Sequence, residues 1–168
     1  MKIFNDNIDL RRIYLEKLPD WLSVVVVNGY FCCARNSLTS LRGTPKEVRG
    51  WFDCSWNQLT TLEGAPEVVE SSFYCPDNYL TTLQGAPKKI NGSFWCNDNK
   101  LTTLHGAPEV VTCDFCCDQN HLTTLEGAPK KVGGDFYCGY NLTKFTPKQV
   151  RAVCDVHGRV YTGGEIHE

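Results

Sequence analysis

The sequence has no apolar run long enough to cross a bilayer. The valine stretch Val24 to Val27 falls far short of the ~20 residues that a spanning helix needs. The segment Met1 to Arg12 lacks the apolar core of an export signal, so neither membrane nor export is expected. Net charge is equally scarce. Seventeen Lys and Arg against nineteen Asp and Glu leave −2, which argues against a generic binder of nucleic acid or membrane surfaces.

A catalytic or metal-binding constellation is also missing. His105 and His121 have no nucleophile consistently beside them. Cys113 and Cys116 are spaced as a C-x-x-C, but residues three apart on a strand face opposite sides and do not share a metal. Cys154, His157 and His167 make half of a zinc site, with no second clear ligand pair. Neighbouring aspartates lack the interleaved carbonyl spacing of a calcium loop. Asn141-Leu142-Thr143 matches a glycosylation acceptor and is read as a remnant of the repeat described next. No enzyme, metal or cofactor is expected.

What the sequence does have is one unit repeated. Cys33, Cys54, Cys75, Cys96, Cys117 and Cys138 are spaced 21 residues apart. Phe31, Phe52, Phe73, Phe94, Phe115 and Phe136 keep the same step, as do Asn36, Asn57, Asn78, Asn99, Asn120 and Asn141. A period of this length signals a solenoid, in which each unit buries its apolar face only against its neighbours. The 168 residues then form one domain. Six of the ten cysteines belong to the repeat, so stacking about 4.8 Å apart puts their sulfurs in a column rather than in chosen pairs. Reduced core thiols in a cytosolic protein are therefore expected.

Within one unit, Phe94-Trp95-Cys96 alternates as a strand does, with Phe94 and Cys96 inward and Trp95 outward. Asn99 follows at a turn, where stacked copies can form a hydrogen-bonded ladder with the backbone of adjacent coils. Leu101, Leu104 and Val111 return to the core. Gly106-Ala107-Pro108 supplies a residue free to take positive φ and then a fixed φ near −65°. This favours an extended or polyproline-like convex side over a helix.

The unit resembles the leucine-rich-repeat pattern, with Phe and Cys replacing two leucines. It is closest to the short bacterial type found in secreted effectors of enteric pathogens, and is similar to repeats in proteins of tailed bacteriophages. The resemblance spans about residues 15–150 and implies a right-handed leucine-rich-repeat solenoid with six parallel strands on its concave side. No catalytic domain follows the repeats, so the effectors' activities do not carry over.

In chain order, residues 1–30 form an N-terminal cap and degenerate first repeat, 31–145 the solenoid, and 146–168 a C-terminal cap. Leu15, Leu18, Pro19 and Leu22 echo half a repeat, and five inserted residues at Ser23 to Val27 suggest an extra strand over the open edge. Ile8 to Glu16 fits either a helix or a degenerate coil. Thr146-Pro147-Lys148-Gln149 reads as a capping box with Pro at the first helical position, opening a helix to about Cys154. Val156 to Val160 reads as a hairpin around Gly158.

Recognition chemistry is expected on the outward residues of the strands. Four columns flank the Phe and Cys positions: Tyr30, Trp51, Ser72, Ser93, Asp114 and Asp135; Cys32, Asp53, Tyr74, Trp95, Cys116 and Tyr137; Ala34, Ser55, Pro76, Asn97, Asp118 and Gly139; Arg35, Trp56, Asp77, Asp98, Gln119 and Tyr140. They carry six aspartates, many aromatics and one arginine. Lys46, Lys88, Lys89, Lys130 and Lys131 follow the prolines, which suggests a basic convex flank. Exposed tryptophans are costly in water and typical of interface anchors. Neighbouring carboxylates such as Asp77/Asp98 and Asp114/Asp135 repel unless a cation lies over them.

The expected partner is thus a protein with a basic surface, bound through Trp51, Asp53, Trp56, Tyr74, Asp77, Trp95, Asp98, Asp114, Asp118, Asp135, Tyr137 and Tyr140. The phage resemblance implies capture or inhibition of a host protein, a defence factor for example, in the host cytoplasm. Two other readings are a sugar or nucleotide stacked on the aromatics, and an acidic mimic of nucleic acid that blocks a DNA-binding protein.

Overall fold

The computed structural model describes residues 2–163. The chain winds as a parallel β-solenoid. One face is an eight-stranded sheet whose rungs begin at Ile8, Phe31, Phe52, Phe73, Phe94, Phe115, Phe136 and Val160, in order along the stack. Every described strand pair is parallel, and the repeat residues meet in register: Phe94 lies beside Phe73 and Phe115, and Trp95 beside Tyr74 and Cys116. Phe94 and Cys96 are wholly buried while Trp95 is 39% exposed, the alternation that a half-buried strand requires.

The core is a set of columns. The six Phe rings pack with centroids 4.9–5.8 Å apart from one coil to the next, a separation at which offset aromatic pairs attract. The ten cysteines are free. Four of the column thiols donate to the next coil's backbone, as Cys75 and Cys96 do to the carbonyls of Trp95 and Cys116, at 3.3 Å each. Burial pushes these thiols far above their usual range and takes Cys138 to about 12, since a thiolate there would have no solvent.

The asparagine ladder forms. Asn99 Nδ2 donates to the carbonyls of Cys75, Cys96 and Asn97 at 3.1–3.2 Å, and its Oδ1 accepts from Leu80 N at 2.9 Å. The Gly before each Ala-Pro or Thr-Pro takes positive φ, for example 89° at Gly106. There a Cβ would collide with the Leu83–Gln84 backbone of the preceding coil, so both conformation and space demand glycine.

The structure corrects several expectations. The side opposite the eight-stranded face is not merely extended: Lys2–Phe4, Val25–Val27, Glu47–Val48 and Val68–Val69 form one four-stranded sheet. Lys89–Ile90, Val110–Val111, Lys131–Val132 and Asp155–Val156 form another. Proline fixes an extended φ, and stacking at strand spacing lets the second and third residues after it pair with the neighbouring coil.

At the N-terminus, Ile8–Asp9 is a strand beside Phe31–Cys32, so the segment resolves as a degenerate coil rather than a helix. Val25–Val27 is an ordinary rung. The strand that covers the edge is Lys2–Phe4, and much of the insertion is taken up by the 3-10 turn Asp20–Val24.

At the other end the helix is as expected. It spans Pro147–Val153, with Thr146 as cap and Gln149 completing the capping box. The hairpin is not formed. Asp155–Val156 continues one sheet beside Lys131–Val132, and Val160–Tyr161 continues the other beside Phe136–Tyr137. The helix follows Leu142 and Phe145, where the earlier coils have their Gly-Ala-Pro, and Arg151 ties the next corner by donating to Gly158 O at 2.7 Å.

Candidate functional site: the aromatic and acidic face

The eight-stranded face gathers the aromatics of the first two columns into a continuous row. Trp51 stacks on Tyr30, with centroids 4.1 Å apart and planes 7° from parallel. On its other side it meets Tyr74 nearly edge-on, at 6.4 Å and 73°. Tyr74 meets Trp95 at 6.3 Å and 64°. Cys116, buried, interrupts the row, which resumes as Tyr137 stacked on Tyr161 at 4.6 Å. Sequence reasoning missed Tyr161 because the final coil departs from the 21-residue step.

The other two columns lie at the edge of the open face, where the chain turns away from it. Ala34, Ser55 and Gly139 are buried. Arg35, Trp56, Asp77, Asp98, Gln119 and Tyr140 all have φ between 52° and 57°, which makes them a corner where the chain leaves the sheet. No glycine marks this corner, so a left-handed residue there was not legible beforehand. Trp56 remains half exposed under the guanidinium of Arg35, 4.8 Å from the ring centre, and Tyr140 is largely exposed.

The aspartates divide into two groups. Asp114 Oδ1 accepts from Asp135 N at 2.9 Å, and Asp135 Oδ1 from Arg159 N at 2.7 Å. Ser93 and Ser72 do the same one and two coils earlier, for Asp114 N and Ser93 N. This column is a second ladder, in which each side chain caps the backbone N–H of the coil above it. Backbone donors thus already hold one oxygen of each of Asp114 and Asp135. Asp135 also accepts from the Tyr137 hydroxyl, whose pKa burial and that carboxylate raise to about 12. Asp118 accepts from Gly139 N.

Asp53, Asp77 and Asp98 belong to no such ladder. Asp53 Oδ1 accepts from Ser55 N at 2.8 Å and from the Ser55 hydroxyl. Asp98 Oδ2 accepts from the Asn97 amide at 2.7 Å and from the Gln119 amide at 3.1 Å. Among the described residues no ion pair reaches any of the three. Burial, and after it the Asp98 charge, raise the carboxyls of Asp77 and Asp118 above the ordinary range; at Asp118 the Gly139 N–H opposes this. Asn97 Oδ1 is buried without a donor.

The basic flank is also corrected. Lys46, Glu67, Lys88, Glu109 and Lys130 form one column of alternating sign, with ion pairs Lys46–Glu67 at 3.7 Å and Glu109–Lys130 at 2.7 Å. The alternation was legible in the sequence once the glutamates in the same register are read beside the lysines. Elsewhere, Cys113 is exposed and Cys116 buried, and Cys154 is buried with its thiol raised by burial to about 11. His157 Nε2 lies 3.3 Å from Asp155, while His167 falls outside the described residues. Among the described residues no three metal-ligating side chains converge, and no helix is long and apolar enough to cross a membrane.

The open face carries a shallow recess of about 270 Å³ lined by Trp51, Asp53, Ser55 and Tyr74. A larger hollow of about 670 Å³, lined by Lys2, Ile3, Phe4, Trp21, Val24 and Val25, lies away from it at the N-terminal end. No protein-family profile, no curated protein and no solved structure was found to match the chain.

Proposed function

We propose that the chain is a non-enzymatic recognition module of the leucine-rich-repeat type that binds a protein with a basic surface through its eight-stranded face. The observation that carries this reading is the row Tyr30–Trp51–Tyr74–Trp95, in which four large aromatics on consecutive rungs contact one another beside carboxylates that lack a basic partner. Aromatic clusters supply holding energy at interfaces, and complementary charge steers approach and orientation. The binding surface then centres on Trp51, Asp53, Tyr74 and Trp95. Trp56, Asp77, Asp98, Asp118, Tyr137 and Tyr140 lie at its margin, and Asp114 and Asp135 serve chiefly the backbone.

The similarity to phage repeats extends this reading to capture of a host protein in the host cytoplasm. A sugar or nucleotide site is less well supported, because the recess on this face holds about 270 Å³ and pockets that enclose such ligands hold ~300–1,000 Å³. A nucleic-acid mimic is less well supported too, because two of the six aspartates spend oxygens on the serine–aspartate ladder and a third on Gly139.

Affinity capture from a bacterial lysate tests the proposal, with the native chain beside a triple Trp51→Ala, Trp95→Ala, Tyr137→Ala variant. A protein retained by the native chain and lost by the variant is the expected result. Equal retention by both refutes the assignment of this face. Loss of binding in proportion to salt, with no loss in the variant, would favour the charge mimic.

A further inference from the structure

The geometry of the recess points to one ligand chemistry. We propose that Trp51, Tyr74 and Asp53 form a seat for a single alkylammonium group, the tip of a lysine side chain on the partner. This inference rests on the recognition reading above and adds what the face recognises.

The walls come first. Trp51 and Tyr74 stand 73° apart with centroids separated by 6.4 Å, so they form a corner rather than a stack. Tyr30 lies flat on Trp51 on one side and Trp95 meets Tyr74 on the other, so both walls are braced by further aromatic contacts. An aromatic ring presents a negative face to a cation. Two rings set nearly at right angles can both contact a compact, rounded ammonium. A flat guanidinium covers one ring at a time, as Arg35 does over Trp56 one column away.

The recess also supplies the countercharge. Asp53 lines it with Ser55, and both Ser55 donors go to Asp53 Oδ1, which fixes the carboxylate. Its Oδ2 has only the Cys32 thiol, at 3.8 Å, and no ion pair reaches it among the described residues. A held, half-buried carboxylate in a recess with two aromatic walls is short of one thing, a cation with N–H groups to donate. A recess of about 270 Å³ has room for that tip.

The test is a titration of the ¹⁵N-labelled full chain, following the indole N–H signals of Trp21, Trp51, Trp56 and Trp95. The probes are Nα-acetyl-lysine methylamide, its Nε-acetylated neutral form, and Nα-acetyl-arginine methylamide. The lysine probe is expected to move the Trp51 signal saturably and to leave Trp21 and Trp56 in place. The neutral probe should do nothing, and the arginine probe should bind more weakly. Asp53→Asn keeps the acceptor for Ser55 and should weaken lysine binding roughly tenfold, the scale of one charge-assisted hydrogen bond. Tyr74→Ala should abolish it.

Equal response to the neutral probe, equal binding of arginine, or joint movement of all four indoles overturns the seat. If the lysine probe fails while a protein is still captured in a Trp95-dependent way, the seat falls and the recognition reading stands. If the probe binds as described but no protein is captured through this face, the recognition reading falls and the seat stands.

Discussion

Replacing Asn99 by alanine tests how the ladder stabilises the stack. Its three acceptors are each held twice. The Cys75 carbonyl also receives Asn78, the Cys96 carbonyl also receives Asn120, and the Asn97 carbonyl also receives Asp77 N. The Leu80 N–H, by contrast, is bonded only by Asn99 Oδ1, and Leu80 is wholly buried. The substitution therefore orphans one buried donor, at about 1–3 kcal/mol, and removes most of a buried side chain, at about 1 kcal/mol more. A total of about 2–4 kcal/mol, with a urea dependence of about 2 kcal/mol per molar, corresponds to a midpoint lowered by roughly 1–2 M. Asn141→Ala at the last rung is the control, because that side chain is only partly buried and water can replace it. Urea unfolding followed by circular dichroism, with amide exchange at Leu80, reads both effects. If the two variants lose equal stability, or Leu80 N–H stays as protected as in the native chain, the reasoning about a singly held donor is wrong.

Other outcomes follow from the same geometry. Gly85→Ala should cost much more than Gly43→Ala, because both residues have positive φ but a Cβ at Gly85 meets the Leu62 carbonyl whereas at Gly43 it lies 3.3 Å from Leu18 Cβ; thermal melts of the two variants decide it. Of the ten thiols, Cys113 is the exposed one, and burial takes Cys32 and Cys116 to about 12; a chromogenic disulfide at pH 8 should label one thiol quickly and the rest only on unfolding. Asp77 has a raised carboxyl pKa, so its ionisation favours the unfolded chain and stability from this group falls as pH rises past the ordinary carboxylate value. Asp77→Asn, tolerated at φ 55° because asparagine accepts left-handed backbone, should raise the urea midpoint at pH 7, and the gain should vanish near pH 3. A gain that is constant with pH would place the effect in packing instead.

Much of the fold was legible because one period governs it. Phe, Cys, Asn and Gly each recur at one station of the coil, and each station has a single physical demand: a buried ring, a small buried thiol, an amide with both donors and an acceptor, a positive φ. The capping box at Thr146 was equally readable because its bonds span only three residues. The columns failed where the demand was not local. The corner at Arg35, Trp56 and Asp77 is left-handed without a glycine, and Ser55 or Asp118 reads as an outward strand residue until the chain is seen to turn.

By itself the sequence determined that the chain coils, what lies inside each coil, and which face carries aromatics and acids, because a strict period sorts side chains by position alone. Only the tertiary structure decided what each carboxylate holds. Asp114 and Asp53 look alike as letters, yet one accepts an N–H donated by the coil above it and the other is held by Ser55 of its own coil, in a recess walled by Trp51 and Tyr74. That difference depends on the register between neighbouring coils and on the angle between side chains of adjacent coils, neither of which a period can specify.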